Sequence, residues 1–144
     1  MLIKISRTVS GAIGECFVLG ELLKRGHEAY KSNGDVQAGW DIVVVDSERE
    51  NPDPRILIQV KTIDWPEQSS VNIANAGGYD YLVVVLLDRT NPRSRFFIFE
   101  ATIVDSLLSP VNDKRTDKKR TLTMSRKAVA EKLAQYEDNW SIIR

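Results

Sequence analysis

DIVVVDSERENPDPRILIQVKT, residues 41–62, holds two apolar runs, Ile42 to Val45 and Ile56 to Val60, on either side of a polar segment. β-Branched side chains suit a pleated surface, and the Pro, Asn and Asp of SERENPDPR suit an exposed connection, so the stretch predicts a β-hairpin. Side chains alternate across a strand, which puts Leu57, Gln59 and Lys61 on one face and Ile56, Ile58 and Val60 on the other. Asp41 stands at the polar entrance of the first run. With the two runs paired antiparallel, Asp41 returns to the level of Gln59 and Lys61, and a carboxylate, an amide and an ammonium converge.

Upstream, Val9, Ala12, Ile13, Cys16, Phe17, Leu19, Leu22 and Leu23 recur every three or four residues. They predict an amphipathic helix from about Thr8 to Arg25, capped by Ser6 or Thr8 and stopped by Gly26. Gly11, Gly14 and Gly20 inside it each cost about 1 kcal/mol relative to Ala, which points to a close backbone approach or to irregular first turns. On this pattern Cys16 is packed core rather than a nucleophile. HEAYKSN, residues 27–33, reads as a short strand ended by the turn residues of GDVQAGW.

Downstream, TIDWPEQSSVNIANAGGYD lacks a clear period and predicts a long loop, with Trp65 and Tyr79 as aromatic faces for a ligand or a lid. YLVVVLL, residues 81–87, reads as a strand buried on both sides, with RFFIFEA, 95–101, as its hairpin partner. ATIVDSLLS predicts a short helix closed by Pro110. KAVAEKLAQYEDNW after Ser125 predicts a second amphipathic helix, and Trp140 is expected to dock the tail on the body. The order is helix, three strands, loop, two strands, helix, helix. An α/β or α+β chain follows, with a sheet that needs a helix on each face.

A chain of 144 residues suits one domain, 1–144, with a single core. Hydrophobic residues at 42% and charged residues at 28% are ordinary for a soluble protein. No apolar run approaches the roughly 20 residues that span a bilayer, and the opening segment lacks a signal-peptide pattern. The single cysteine fits a reducing compartment, so a cytoplasmic, membrane-free protein is expected. A net charge of zero excludes bulk polycationic binding. The charge is nonetheless segregated. Lys114, Arg115, Lys118, Lys119, Arg120, Arg126 and Lys127 face only Asp113 and Asp117, while six acids between Asp35 and Pro54 face only Arg49. Solvated loops explain this pattern, and so does an acidic pocket beside a basic edge that tracks nucleic acid. His27 is the only histidine, which rules out a His-rich zinc site, and no Gly-Lys-Ser/Thr follows the early glycines to make a phosphate loop.

The converging cluster suits a hard cation. Mg²⁺ takes a few oxygen ligands and keeps waters, so Asp41, an amide oxygen and a backbone carbonyl can supply the protein's share. Lys61 beside them can orient water or offset charge on a phosphate. Glu15, on the margin of the helix's apolar stripe, is available as a second acid.

GAIGECFVLGELLKRGHEAY, GWDIVVVD and ILIQVKT together resemble the core of the PD-(D/E)xK nuclease superfamily, the restriction-endonuclease-like fold, over about residues 8–62. The pattern is most similar to its Holliday-junction-resolvase-like and Mrr-like branches. The resemblance implies an αβββαβ core with a mixed sheet flanked by helices, and a DNA endonuclease using Mg²⁺ or Mn²⁺. It makes Glu15, Asp41 and Gln59 metal ligands with the Val60 carbonyl, and Lys61 the catalytic lysine. Lys114, Arg115, Lys118, Lys119 and Arg120 would then meet the DNA backbone. Trp40 stands where the family's proline would be. Gln59 replaces its acid, as in the QxK variant, which removes a charge and lowers metal affinity. The family also contains dimers and members that have lost cleavage. A homodimer fits this reading; the competing expectation is a non-catalytic module that binds nucleic acid or protein, with a homodimeric interaction protein that uses its sheet edge as a third.

Overall fold

The computed structural model describes residues 2–32, 39–46, 48, 53–74 and 77–144. The hairpin of residues 41–62 forms. Strand β2, Ile42–Val45, pairs antiparallel with β3, Arg55–Asp64, in the register Ile42↔Ile58 to Val45↔Arg55. Most of its connection, like the GDVQA turn before Gly39, lies outside the described residues. Helix α1, Arg7–Lys24, precedes β1, Glu28–Lys31, which pairs antiparallel with β2. The Ser6 hydroxyl accepts from Val9 N at 3.2 Å and caps α1. Gly26, at φ 89°, turns the chain out of the helix.

The five-stranded sheet has the order β1-β2-β3-β5-β6, where β5 is Tyr81–Leu87 and β6 is Arg95–Glu100. β5 runs parallel to β3 and antiparallel to β6, so the sheet is mixed. Under one face, α1 and the tail residues Trp140 and Ile143 cover Ala29, Ile42, Val44, Ile56, Ile58, Val60, Val83, Val85 and Ile98. Trp140 docks the tail as expected, 5.4 Å from the Phe96 ring, and Tyr81 Oη donates to Ile142 O at 2.6 Å.

The buried side of α1 differs from the expected stripe. Ser10, Gly14, Val18 and Leu22 are buried, whereas Val9, Phe17 and Leu23 are 46%, 43% and 51% exposed and Cys16 is exposed rather than core. The helix is apolar nearly all round, so periodicity alone does not choose its inner side. Close packing chooses it. Small residues at 10 and 14 let the helix axis approach the sheet, and a Cβ on Gly14 would fall 1.7 Å from Thr62 Oγ1.

Residues 65–80 form the crossover between the parallel strands β3 and β5. They were expected as a loop, yet Ser70–Ile73 is strand β4, paired antiparallel with β7, Arg120–Thr123. Parallel strands usually cross over through a helix. Here Pro66 and the alternation of Ser70-Val71-Asn72-Ile73 favour extended chain, and Val71 and Ile73 are buried between exposed neighbours. The β4–β7 ribbon, with α2, Ala101–Leu107, and α3, Arg126–Glu131, covers the second face of the sheet. α3 is shorter than expected. After it, Arg95 grips the Glu137 carboxylate through Nε at 2.6 Å and Nη2 at 2.9 Å, which lays the chain along the edge of β6 as a bridge from Glu137 to Phe97. No helix of the described residues is long and apolar enough to cross a membrane.

Trp65 is a structural pin rather than a loop face. Its Nε1 donates to Met124 O at 2.8 Å, and the guanidinium groups of Arg95 and Arg126 lie 5.3 and 5.4 Å from its ring. Trp65→Phe keeps the ring and loses the donor, so the urea midpoint should fall by the equivalent of about 1 kcal/mol. A Trp65→Phe protein of parent stability would show that this hydrogen bond does not hold the fold.

Candidate active site

β2 covers β3 only as far as Ile58, whereas β3 stays paired with β5 from Ile58 to Asp64. From Gln59 onward, the edge of β3 that had faced β2 is no longer covered by it. Asp41 sits at this opening, one residue before β2. Its N–H donates to Ile58 O at 2.8 Å, which fixes its backbone, and its Oδ2 accepts from Val60 N at 2.7 Å and from Gln59 Nε2 at 3.4 Å. In an extended strand the N–H and C=O of one residue point to the same edge, so the Val60 carbonyl emerges on the side of the Asp41 carboxylate.

Gln59 and Lys61, two residues apart on one face of β3, share a cleft of about 250 Å³ with Gly39, Ile73, Ala74, Gly77 and Tyr79. Tyr79 is buried in the wall of this cleft, and burial raises the pKa of its hydroxyl. Its aromatic face is core rather than a free loop surface.

Glu15 is held elsewhere. Its carboxylate lies 3.4 Å from Lys31 Nζ, and no described hydrogen bond joins it to Asp41. Glu15 lies on the face of the sheet that α1 covers, opposite the face that carries Gln59 and Lys61, and its ties to the opening run through neighbouring residues. Its neighbour Gly14 packs on Thr62, which follows Lys61, and Ser32, which follows Lys31, donates its N–H to Asp41 O at 2.8 Å. Among the described residues no three acidic, histidine or cysteine side chains gather as a metal site. Lys31 was missed by sequence reasoning. The signal was there in the strand alternation: Ala29 faces the core, so Lys31, two residues on, lies on the side of the sheet that α1 covers.

The basic segment leads into the ribbon that borders the cleft. Arg120 is the register partner of Ile73, which borders the cleft, so the loop preceding β7 leaves the ribbon at that end. Two of its cations already serve the protein. Arg120 pairs with Asp105 and donates from Nε to Ser109 O at 2.7 Å, and Arg115 Nε lies 2.7 Å from Asp117. Lys114, Lys118 and Lys119 are exposed.

Among solved structures the chain is similar to a bacterial homing endonuclease, I-Ssp6803I, with a TM-score of 0.66 and 16% sequence identity over 97% of this chain and 92% of that one. The two chains share a fold. It is also similar to Hjc, a Holliday junction resolvase of Archaeoglobus fulgidus, at 21% identity over 78% of this chain and 83% of that one, with a TM-score of 0.47. No protein-family model matches the chain, and no curated protein matches it in sequence. In this fold, residues 41 and 59–61 occupy the point where β2 and β3 part.

Proposed function

We propose that the chain is a divalent-metal-dependent endonuclease of one domain, 1–144, that hydrolyses DNA phosphodiester bonds. The observation that carries the reading is the placement of the Asp41 carboxylate against Val60 N and Gln59 at the uncovered edge of β3, with Lys61 in the same cleft. The donor set fits Mg²⁺ or Mn²⁺: a carboxylate from Asp41, an amide oxygen from Gln59 and the Val60 carbonyl are all hard oxygens, with Glu15 as a further acid. Such an ion would offset charge on the phosphate and make a bound water more acidic.

The chain's own residues do the rest. Asp41, fixed by its two backbone hydrogen bonds, keeps its carboxylate at the opening without reorganisation. Lys61 brings an ammonium to the phosphate or to the attacking water. In the reaction the attacking water gives up a proton as its oxygen bonds to phosphorus, one ester P–O bond breaks, and the leaving oxygen takes a proton. Exposed Lys114, Lys118 and Lys119 meet the DNA backbone, while Arg115 and Arg120 contribute chiefly by holding the loop.

Purified protein with Mg²⁺ or Mn²⁺ should cleave plasmid or branched DNA. Asp41→Asn should abolish this, and Glu48→Ala, on the exposed hairpin connection, should not. Absence of cleavage on duplex, single-stranded and branched substrates alike overturns the reading. Gln59 in place of an acid and the Glu15–Lys31 pair favour a second reading, a nuclease-fold module that binds DNA without cutting it. That reading predicts DNA binding with no divalent ion bound at millimolar concentration.

A further inference from the structure

The Glu15–Lys31 pair joins two separate elements, α1 and β1, at the margin of the site. Lys31 ends an edge strand, and its successor Ser32 is bonded to the Asp41 backbone. Glu15 follows the glycine that packs on Thr62, beside Lys61. The pair is only partly buried, with side chains 29% and 39% exposed. Pairs of this kind contribute about 0.2–1 kcal/mol, so a competing anion or cation can exchange either partner. The balance of charge makes such an exchange matter. Gln59 brings no charge, so among the described residues Asp41 is the one carboxylate bonded at the opening, and Glu15, connected to it only through Lys31 and its successor Ser32, is tied to a lysine.

We propose that Lys31 is a positioning residue that withholds the Glu15 carboxylate from the ion site until a DNA phosphate takes up the lysine's charge. The inference rests on the nuclease reading above. DNA and the divalent ion then help each other to bind, because the phosphate that draws off Lys31 frees Glu15. Linkage requires the help to be mutual. An ion arriving without DNA meets a site one carboxylate short, which keeps the protein poorly loaded away from its substrate.

The test uses Mn²⁺ alone, titrated calorimetrically, and a short duplex titrated in EDTA by fluorescence anisotropy over a range of salt. Without DNA, Lys31→Met should bind Mn²⁺ about two- to fivefold more tightly than the parent, the release of one exposed ion pair. In EDTA it should bind the duplex more weakly, with a salt slope shallower by about 0.9, one phosphate contact. Lys31→Arg should resemble the parent. In a Glu15→Gln background Lys31→Met should bring no gain in Mn²⁺ affinity, which separates release of Glu15 from simple removal of a nearby charge.

An unchanged Mn²⁺ affinity in Lys31→Met, or a gain that persists without Glu15, overturns the proposal. If Asp41→Asn abolishes Mn²⁺ binding while Lys31→Met changes neither titration, the exchange is refuted and the nuclease reading survives. If the parent binds no Mn²⁺ with or without DNA, both fall together.

Discussion

On the nuclease reading proposed above, Lys61→Met should leave the chain folded and slow DNA cleavage by about 100- to 1000-fold, the usual cost of removing one preorganised electrostatic contact to the reacting group. The substitution is chosen for what it keeps. Methionine retains an unbranched stem of similar length, so the strand and the cleft wall formed by Ile73 and Tyr79 lose little packing, while the ammonium disappears. Single-turnover rates on a cleavable substrate give the catalytic effect, and urea unfolding of the same samples checks the fold. Cleavage at the parent rate by a folded Lys61→Met protein would remove this lysine from the chemistry. Equal loss of rate and of stability would mark it as a structural residue.

The second large effect is on stability and turns on one glycine among three. Gly14→Ala should destabilise the protein by about 2–3 kcal/mol, because the new methyl would fall 1.7 Å from Thr62 Oγ1 and 2.9 Å from its Cβ. Gly11→Ala and Gly20→Ala should do the reverse. No described atom lies within 4 Å of a Cβ at either position, so they gain about 0.5–1 kcal/mol of helix propensity. Thr62→Ala should recover part of the Gly14→Ala loss by removing the hydroxyl that the methyl strikes, a coupling readable as a double-mutant cycle. It also removes a buried hydroxyl that has no hydrogen-bond partner among the described residues. Opposite signs at 14 and at 11 and 20 are the expected pattern. A uniform sign would mean that the helix stands further from β3 than described.

The parts of the fold that were legible in the sequence are those where local chemistry and tertiary packing agree. The hairpin of residues 41–62 is one, since β-branched runs and a Pro-rich connection leave few alternatives. The inner face of α1 was not legible. Its buried positions include Ser10 and Gly14, placed there by closeness and not by hydrophobicity, beside Val18 and Leu22, while Val9, Phe17 and Leu23 remain outside. The β4–β7 ribbon was missed for a different reason. SVNI and RTLT are four residues each, too short to stand out beside stronger strands, and each is extended because the other completes it. At the site, alternation and antiparallel pairing were enough to set Asp41 against Gln59, though not to show its bond to Val60 N. They could not reveal that the Glu15 carboxylate has Lys31 as its neighbour, because that contact depends on how a helix lies across an edge strand.

The tail carries a consequence for how the molecule is made. Trp140 and Ile143 are buried in the same core as α1 and β2, although they are separated from those elements by most of the chain. On a ribosome the N-terminal helix and hairpin emerge long before their last packing partners, so that core must wait, half open, until residue 143 has cleared the exit tunnel. A chaperone that binds apolar nascent chain has its opportunity in that interval.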